Sequence, residues 1–190
     1  MESFTVIYDA CLFYPAALRD LLVELARTGM FRARWTTRIH MEWVHALCRD
    51  RRDLDRDRLQ RVAALINMAV PDCLVSGFES LEDELLDLPD VNDRHVLAAA
   101  VHCRAHEIIT FNLSDFPEPI LRRYGVRATH PDAFVKSLLG LDAEGVCRSI
   151  QRIRSRLLNP ARSMQEMIGS YEAQGLANSA GLLRTRLDLL

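Results

Sequence analysis

Short apolar runs alternate with helical periodicities over the first 140 residues. Phe4-Thr-Val-Ile-Tyr8 is rich in β-formers, ends at Asp9, and predicts a first strand. Pro15 suits the first turn of a helix; Leu18, Leu21, Leu22 and Leu25 follow at helical spacing and Gly29 stops them. Thr36 or Thr37 can cap a second helix whose apolar positions include Ile39, Trp43, Ala46 and Leu47. Arg56 to Ala69 predicts a third helix closed by Pro71, Cys73 to Val75 a second strand, and Ser80 to Leu86 a weak helix. Asn92 or Asp93 opens an alanine-rich helix through Val101, small enough along one face to sit close against a sheet. Glu107 to Phe111 predicts a strand, Ser114 to Arg123 a short capped helix, Gly125-Val-Arg-Ala a last strand, and Pro131 to Leu139 a helix. Strands separated by helices require parallel crossovers, which predicts an α/β sandwich.

After Gly140 the pattern turns purely helical. Ala143, Val146, Cys147, Ile150, Ile153 and Leu157 form an apolar stripe, with Arg148, Arg152 and Arg156 lined up four apart on the other side. Ser163-x-x-Glu166 is a capping-box signature, and Met164, Met167, Ile168 and Tyr171 make the next stripe. Gly175 ends it, and Leu176 to Leu190 predicts a last helix. The reading is two domains: residues 1–140 as the α/β part and 141–190 as a helical extension.

Composition supports a globular chain: 190 residues are 49% hydrophobic and 26% charged, enough to bury a core. No apolar run approaches the ~18–20 residues of a membrane span, and Met-Glu-Ser at the start is no signal peptide. Five scattered cysteines without a CxxC pair point to reduced thiols in a cytoplasm rather than a disulfide frame or a zinc cage. A net charge of −2 does not announce a nucleic-acid binder, but the charge is segregated. Seven acids and no base lie between Glu79 and Asp93, six arginines among four aspartates between Arg49 and Arg61, and five arginines without an acid between Arg148 and Arg162. That is compatible with a cation pocket flanked by phosphate-binding ridges, or with solvated helix faces.

The acids that matter stand at element ends. In an open parallel sheet, ligands bind beyond the carboxyl ends of the strands. Asp9 ends the first strand, Asp115 follows the strand through Phe111, Asp93 begins the alanine-rich helix, and Glu42 lies beside the apolar stripe of the second helix. Four carboxylates from distant segments can therefore meet at one edge. Like charges at close range raise one another's pKa, and a hard divalent cation relieves the repulsion. Oxygen-only ligands select Mg²⁺ or Mn²⁺ over zinc. Phosphodiester hydrolysis is the chemistry that suits such an ion, which activates water and stabilises the leaving oxygen.

Val6-Ile-Tyr-Asp-Ala10, Glu42-Trp43, Asn92-Asp-Arg-His-Val-Leu-Ala-Ala99 and Thr110-Phe-Asn-Leu-Ser-Asp-Phe116 resemble, in order and spacing, the four motifs of PIN-domain nucleases. VapC-type toxins of bacterial toxin–antitoxin modules are the nearest likeness, and the resemblance runs over roughly residues 4–139. It implies a three-layer α/β/α fold around a short parallel sheet and Mg²⁺- or Mn²⁺-dependent endoribonuclease activity on RNA. It also implies a homodimer and a cognate antitoxin. Carried over residue by residue, Asp9, Glu42, Asp93 and Asp115 are the catalytic, metal-binding quartet, and Thr110 and Asn112 orient it by hydrogen bonds. The tail beyond residue 140 departs from a minimal PIN domain, although Leu157-Leu-Asn-Pro160 and Tyr171-x-x-x-Gly175-Leu176 are similar to segments of a longer subgroup.

Each of these residues also has a plainer use. Asp9 is a good strand-end turn residue, and Asp93 and Asp115 are first-turn acids favoured by a helix dipole. Asp90 competes for the role of Asp93. Glu42 is one of many helical glutamates, and a turn after a strand favours Asn112 in any case. The six histidines read as surface or packing residues. Arg148, Arg152 and Arg156 read as a solvated face, with RNA or partner contact as the alternative. His40-x-Glu42 lacks the Pro-Cys-x-x-Cys of a zinc deaminase, and Glu42-x-x-His45 lacks the second Glu-x-x-His of a di-iron site. No GxSxG, P-loop or GxGxxG occurs. Two alternatives to a toxin stay open: a non-catalytic PIN-like module that binds RNA or a partner, and a housekeeping nuclease of the same fold.

Overall fold

The computed structural model describes residues 4–83 and 87–189. In chain order the elements are β1 (Thr5–Tyr8), α1 (Ala16–Ala26), β2 (Arg32–Arg34), α2 (Thr37–Asp50), α3 (Arg56–Ala69) and α4 (Glu79–Glu82). There follow α5 (Arg94–His102), β3 (Glu107–Ile109), α6 (Glu118–Leu121), β4 (Arg127–Thr129), α7 (Pro131–Leu141), α8 (Ala143–Arg156), α9 (Met164–Ala173) and α10 (Ala177–Arg184). The helix expected over Ser80–Leu86 is present as α4; residues 84–86, like Leu190 at the end of the last expected helix and the Met-Glu-Ser start, lie outside the described residues.

The chain divides into two compact units. One takes the residues up to Tyr14 together with Phe31–His130, the other Pro15–Met30 together with the residues from Pro131 on. The sequence places its boundary after residue 140; the units divide at Pro131 and group α1 with the late helices.

The first unit is built on a four-stranded, all-parallel sheet in the order β2-β1-β3-β4. Val6, Ile7 and Tyr8 pair with Glu107, Ile108 and Ile109 in its centre. Both central strands are buried along their whole length, which is why Val6-Ile-Tyr8 and Ile108-Ile109 read as unbroken apolar runs instead of alternating ones. Ala98, Ala99 and Ala100 of α5 are fully buried, so the small side chains let this helix approach β1 and β3. Edge strand β2 was not expected: Arg32-Ala-Arg34 carries no apolar run, and only Ala33 is buried. Cys73–Val75, expected as a strand, is reduced to one bridge, in which the Trp35 and Val75 amides bond the Cys73 and Trp35 carbonyls. Asn112, not Ser114, precedes a single 3-10 turn over Leu113–Asp115, and Pro117 then starts the short α6.

An aromatic block fixes α2 beneath the carboxyl edge of the sheet. The Tyr8 and Trp35 rings stack at 6.0 Å, and Phe13 meets Trp35 edge-on at 5.4 Å. The Trp43 indole donates to His40 Nδ1 at 2.8 Å, and burial holds the His40 ring neutral. With Nδ1 accepting, Nε2 carries the proton and donates to Asn67 Oδ1, which also accepts from Trp35. The Thr36 hydroxyl accepts from the Ile39 amide and caps the helix.

The second unit is all helical. Val146, Cys147, Ile150 and Ile153 bury the predicted stripe of α8. Asp132 on α7 accepts from the Asn178 and Ser179 amides and the Ser179 hydroxyl, holding the start of α10. Ser163 and Glu166 form the predicted capping box of α9. The last helix stops at Arg184, short of its expected span. Among the described residues no helix is long and apolar enough to cross a membrane.

Candidate functional site

Asp9 leaves β1 in the plane of the sheet, its amide still bonded to the Ile109 carbonyl of β3. It caps a 3-10 turn over Ala10–Leu12, which aims its carboxylate back across the strand ends. Oδ1 accepts from the Ala10 amide at 2.6 Å, and Oδ2 accepts from the Thr110 hydroxyl at 2.7 Å and the Cys11 thiol at 3.2 Å. Thr110, completely buried, follows β3, so one hydroxyl ties the ends of the two central strands together. Its oxygen accepts in turn from the Asn112 amide at 3.0 Å. The Asn112 part in the site is through its backbone; its side chain makes no capping bond.

Among the described residues no cationic side chain pairs with the Asp9 carboxylate. Burial pushes its pKa up, the three hydrogen bonds pull it down, Glu42 adds repulsion, and the net is upward. Asp93, at the end of a 3-10 turn over Val91–Asp93 that runs into α5, shows the same field more strongly. Its carboxyl is pushed up to about 7, by burial first and then by Asp9, Asp90, Asp115 and Glu42. The structure thus places Asp9, Glu42 and Asp115 within electrostatic reach of Asp93. Asp90 stands with them but is engaged as a cap, accepting from the Asn92 amide and side chain. Asp115 closes the turn after Asn112, and the Ser114 hydroxyl donates to it at 3.3 Å.

Glu42 lies on α2, its Oε1 2.8 Å from His95 Nε2 and 3.5 Å from Arg38 Nε. Arg38 bridges onward to Glu82 at 2.9 Å. His95 is fully buried, and neither ring nitrogen is aligned for a hydrogen bond despite the short distance to Glu42. Sequence reasoning set His95 aside as a surface or packing residue and passed over Cys11. Its position in the apolar run of α5, two residues after Asp93, was the available signal.

The donor set fits a hard cation. Every candidate ligand is a carboxylate, and burial first, then the neighbouring carboxylates, push Asp93 up to about 7. As the side chains stand, no three His, Cys, Asp or Glu among the described residues enclose an ion. Arg152 and Arg156, in the helical unit, bond Glu24 at 2.7 and 2.8 Å, and Arg148 pairs with Glu144 at 3.2 Å. The arginine line is therefore tied within its own unit.

A family model described as the PIN domain matches residues 5–114. The chain belongs to the PIN-domain family. That bears out the resemblance drawn from the four motifs, and the α/β core seen here is the fold it implied. A second model, the VapC50 C-terminal domain, matches residues 131–185, beginning where the helical unit resumes. The chain is also similar to a curated protein of Mycobacterium tuberculosis (strain ATCC 25618 / H37Rv), named "Putative ribonuclease VapC50". The two are 37% identical over 93 residues, 47% of this chain and 55% of that relative. The chain thus matches about half the length of the relative. No solved structure matches.

Proposed function

We propose that this PIN-domain chain is a metal-dependent endoribonuclease that hydrolyses RNA phosphodiester bonds, and that it is the toxin of a type II toxin–antitoxin pair. The observation that carries the reading is the gathering of carboxylates around the half-buried Asp93 at the carboxyl edge of the sheet, where burial first and then Asp9, Asp90, Asp115 and Glu42 push its pKa up to about 7. The relative's name supports ribonuclease chemistry, and a VapC-type toxin fits an RNA substrate, a homodimer, a cognate antitoxin and a cytoplasmic setting.

Asp9, Asp93 and Asp115 would hold Mg²⁺ or Mn²⁺, with Glu42 at the rim. A divalent ion there supplies Lewis acidity, lowering the pKa of water and offsetting charge that develops on the phosphodiester. The residues prepare that chemistry. Thr110, Cys11 and the Ala10 amide fix Asp9 in one orientation, so it reorganises little when charge arrives. Asp93, its carboxyl pushed up to about 7, would give up a proton on taking a cation as ligand. His95 and Arg38 hold Glu42 at the edge of the cluster.

The test is cleavage of total RNA by the purified chain, with and without a chelator, beside Asp9→Asn purified identically. Cleavage that needs Mg²⁺ or Mn²⁺ and vanishes in the variant is the expected result; equal cleavage by the variant refutes the assignment. Induced expression tests the toxin part: growth arrest relieved by the neighbouring gene's product supports it, and harmless expression refutes it.

A further inference from the structure

The amino ends of the strands carry a second polar site. Thr5 begins β1, Arg32 begins β2, and His106 and Val126 immediately precede β3 and β4; all line one cavity of about 520 Å³ with Arg104 and Tyr124. This is the end of the sheet opposite to Asp9 and Thr110. The volume is that of an ordinary small-molecule site.

Its chemistry is cationic. No acid lines it. Most arginines of this chain pair with a carboxylate or a carbonyl, including Arg122 with Glu118 and Arg127 with Glu107 beside the cavity. The exposed Arg32 and Arg104 side chains have no such partner among the described residues. His106 Nδ1 accepts from the Thr5 amide at 3.1 Å, so in the neutral ring Nε2 carries the N–H and is a further donor. The carboxyl end of α5 also reaches the cavity, and three of its carbonyls are taken: Ala99, Ala100 and Val101 accept from the Cys103, Ala105 and Arg104 amides. These bonds lessen the repulsion that the helix end offers an anion.

Arg104 itself is a second, independent pointer. Its φ is +54°, the left-handed conformation that follows many helix ends and that glycine adopts without strain. The chain places a guanidinium there instead, and the turn presents it to the cavity. Strained backbone of this kind is most often tolerated where a side chain has work to do.

We propose that this cavity binds the phosphate of a mononucleotide-sized anion, with Arg32 and Arg104 on the phosphate, His106 as a further donor, and the Tyr124 ring as a wall for the base. Two free guanidiniums suit one phosphate, whose oxygens accept from them in pairs. A nucleic-acid strand needs a run of such contacts, and the neighbouring arginines that would supply one are already paired. The inference does not rest on the acidic site.

Calorimetry of the full chain in excess chelator, which silences any divalent-ion chemistry, tests it with adenosine 5′-monophosphate, adenosine, inorganic phosphate and a short single-stranded RNA. Saturable binding of the monophosphate is expected, with weaker binding of phosphate and none of adenosine. Arg32→Gln and Arg104→Asn should each weaken the monophosphate about tenfold or more; asparagine tolerates the left-handed backbone, so the second variant removes charge without new strain. Tyr124→Leu should weaken the monophosphate and leave phosphate unchanged. Absence of saturable binding, equal binding of adenosine, or both arginine variants binding like the parent while melting normally would overturn the proposal. So would binding of the RNA alone.

Discussion

Two buried carboxylates, one in each unit, meet opposite fates. Glu24 on α1 is almost wholly buried, yet three guanidiniums surround it, those of Arg27, Arg152 and Arg156. Burial pushes its pKa up, but the arginines outweigh burial and the net is downward. Asp9 is just as inaccessible and has only a hydroxyl, a thiol and an amide for company, with other carboxylates beyond. Evolution of a stable core favours the first arrangement, because an uncompensated buried charge opposes folding. On the function proposed above, the second arrangement leaves a place for a cation from outside. Perturbed carboxyls gathered at a strand edge point to function more than a well-paired buried carboxylate does.

The comparison can be broken at several points. Asp9→Asn should lower RNA cleavage by at least about 1000-fold, since it removes the best-oriented carboxylate from an electrostatic site. Its thermal midpoint should hold or rise, which a melt recorded beside the assay will show. Glu24→Gln should do the reverse: it leaves arginines facing a neutral amide and should cost about 2–3 kcal/mol in chemical denaturation, without a matching loss of cleavage per folded molecule.

Asp93 gives the contrast a pH dependence. In the folded chain it keeps its proton to about 7, whereas its ordinary value is 3.8. Between those values the folded state binds more protons than the unfolded one, so stability declines as pH rises through that window and is lowest above it. Asp93→Asn should flatten this slope and exceed the parent at pH 8 by on the order of 2 kcal/mol, after allowance for partial solvent access. Saturating Mg²⁺ should raise the parent's midpoint at pH 8 and move the variant little. Arg148→Ala should matter least. Its pairs with Glu144 and Asp142 are exposed, and their loss should shift denaturation by at most about 0.5 kcal/mol.

The sequence showed the sheet best where burial was two-sided. β1 and β3 stand out because every residue of them is apolar or buried, and the α5 alanines announce a helix pressed on a sheet. β2 was hidden because an edge strand with arginines at both ends has only one side chain to bury. The end of the last helix was missed because Arg184 and Arg186 fit a helical stripe as well as they fit a frayed turn. In the candidate site, Asp9, Asp93 and Asp115 are nominated by their places at element ends, Glu42 by its place beside an apolar helical stripe, and Thr110 by its motif. His95 was not, because a histidine amid valine, leucine and alanine looks like packing until its distance to Glu42 is known. Nor was the pairing of Arg152 and Arg156 with Glu24, which depends on residues more than a hundred positions apart.

Manganese binding asks whether the carboxylate edge takes up a counter-charge, without involving RNA. At neutral pH, calorimetry should show saturable Mn²⁺ uptake by the parent chain, accompanied by proton release as Asp93 ionises, and neither signal in Asp9→Asn. A parent chain that takes up no Mn²⁺, or an Asp9→Asn variant that binds it as tightly, would contradict the account.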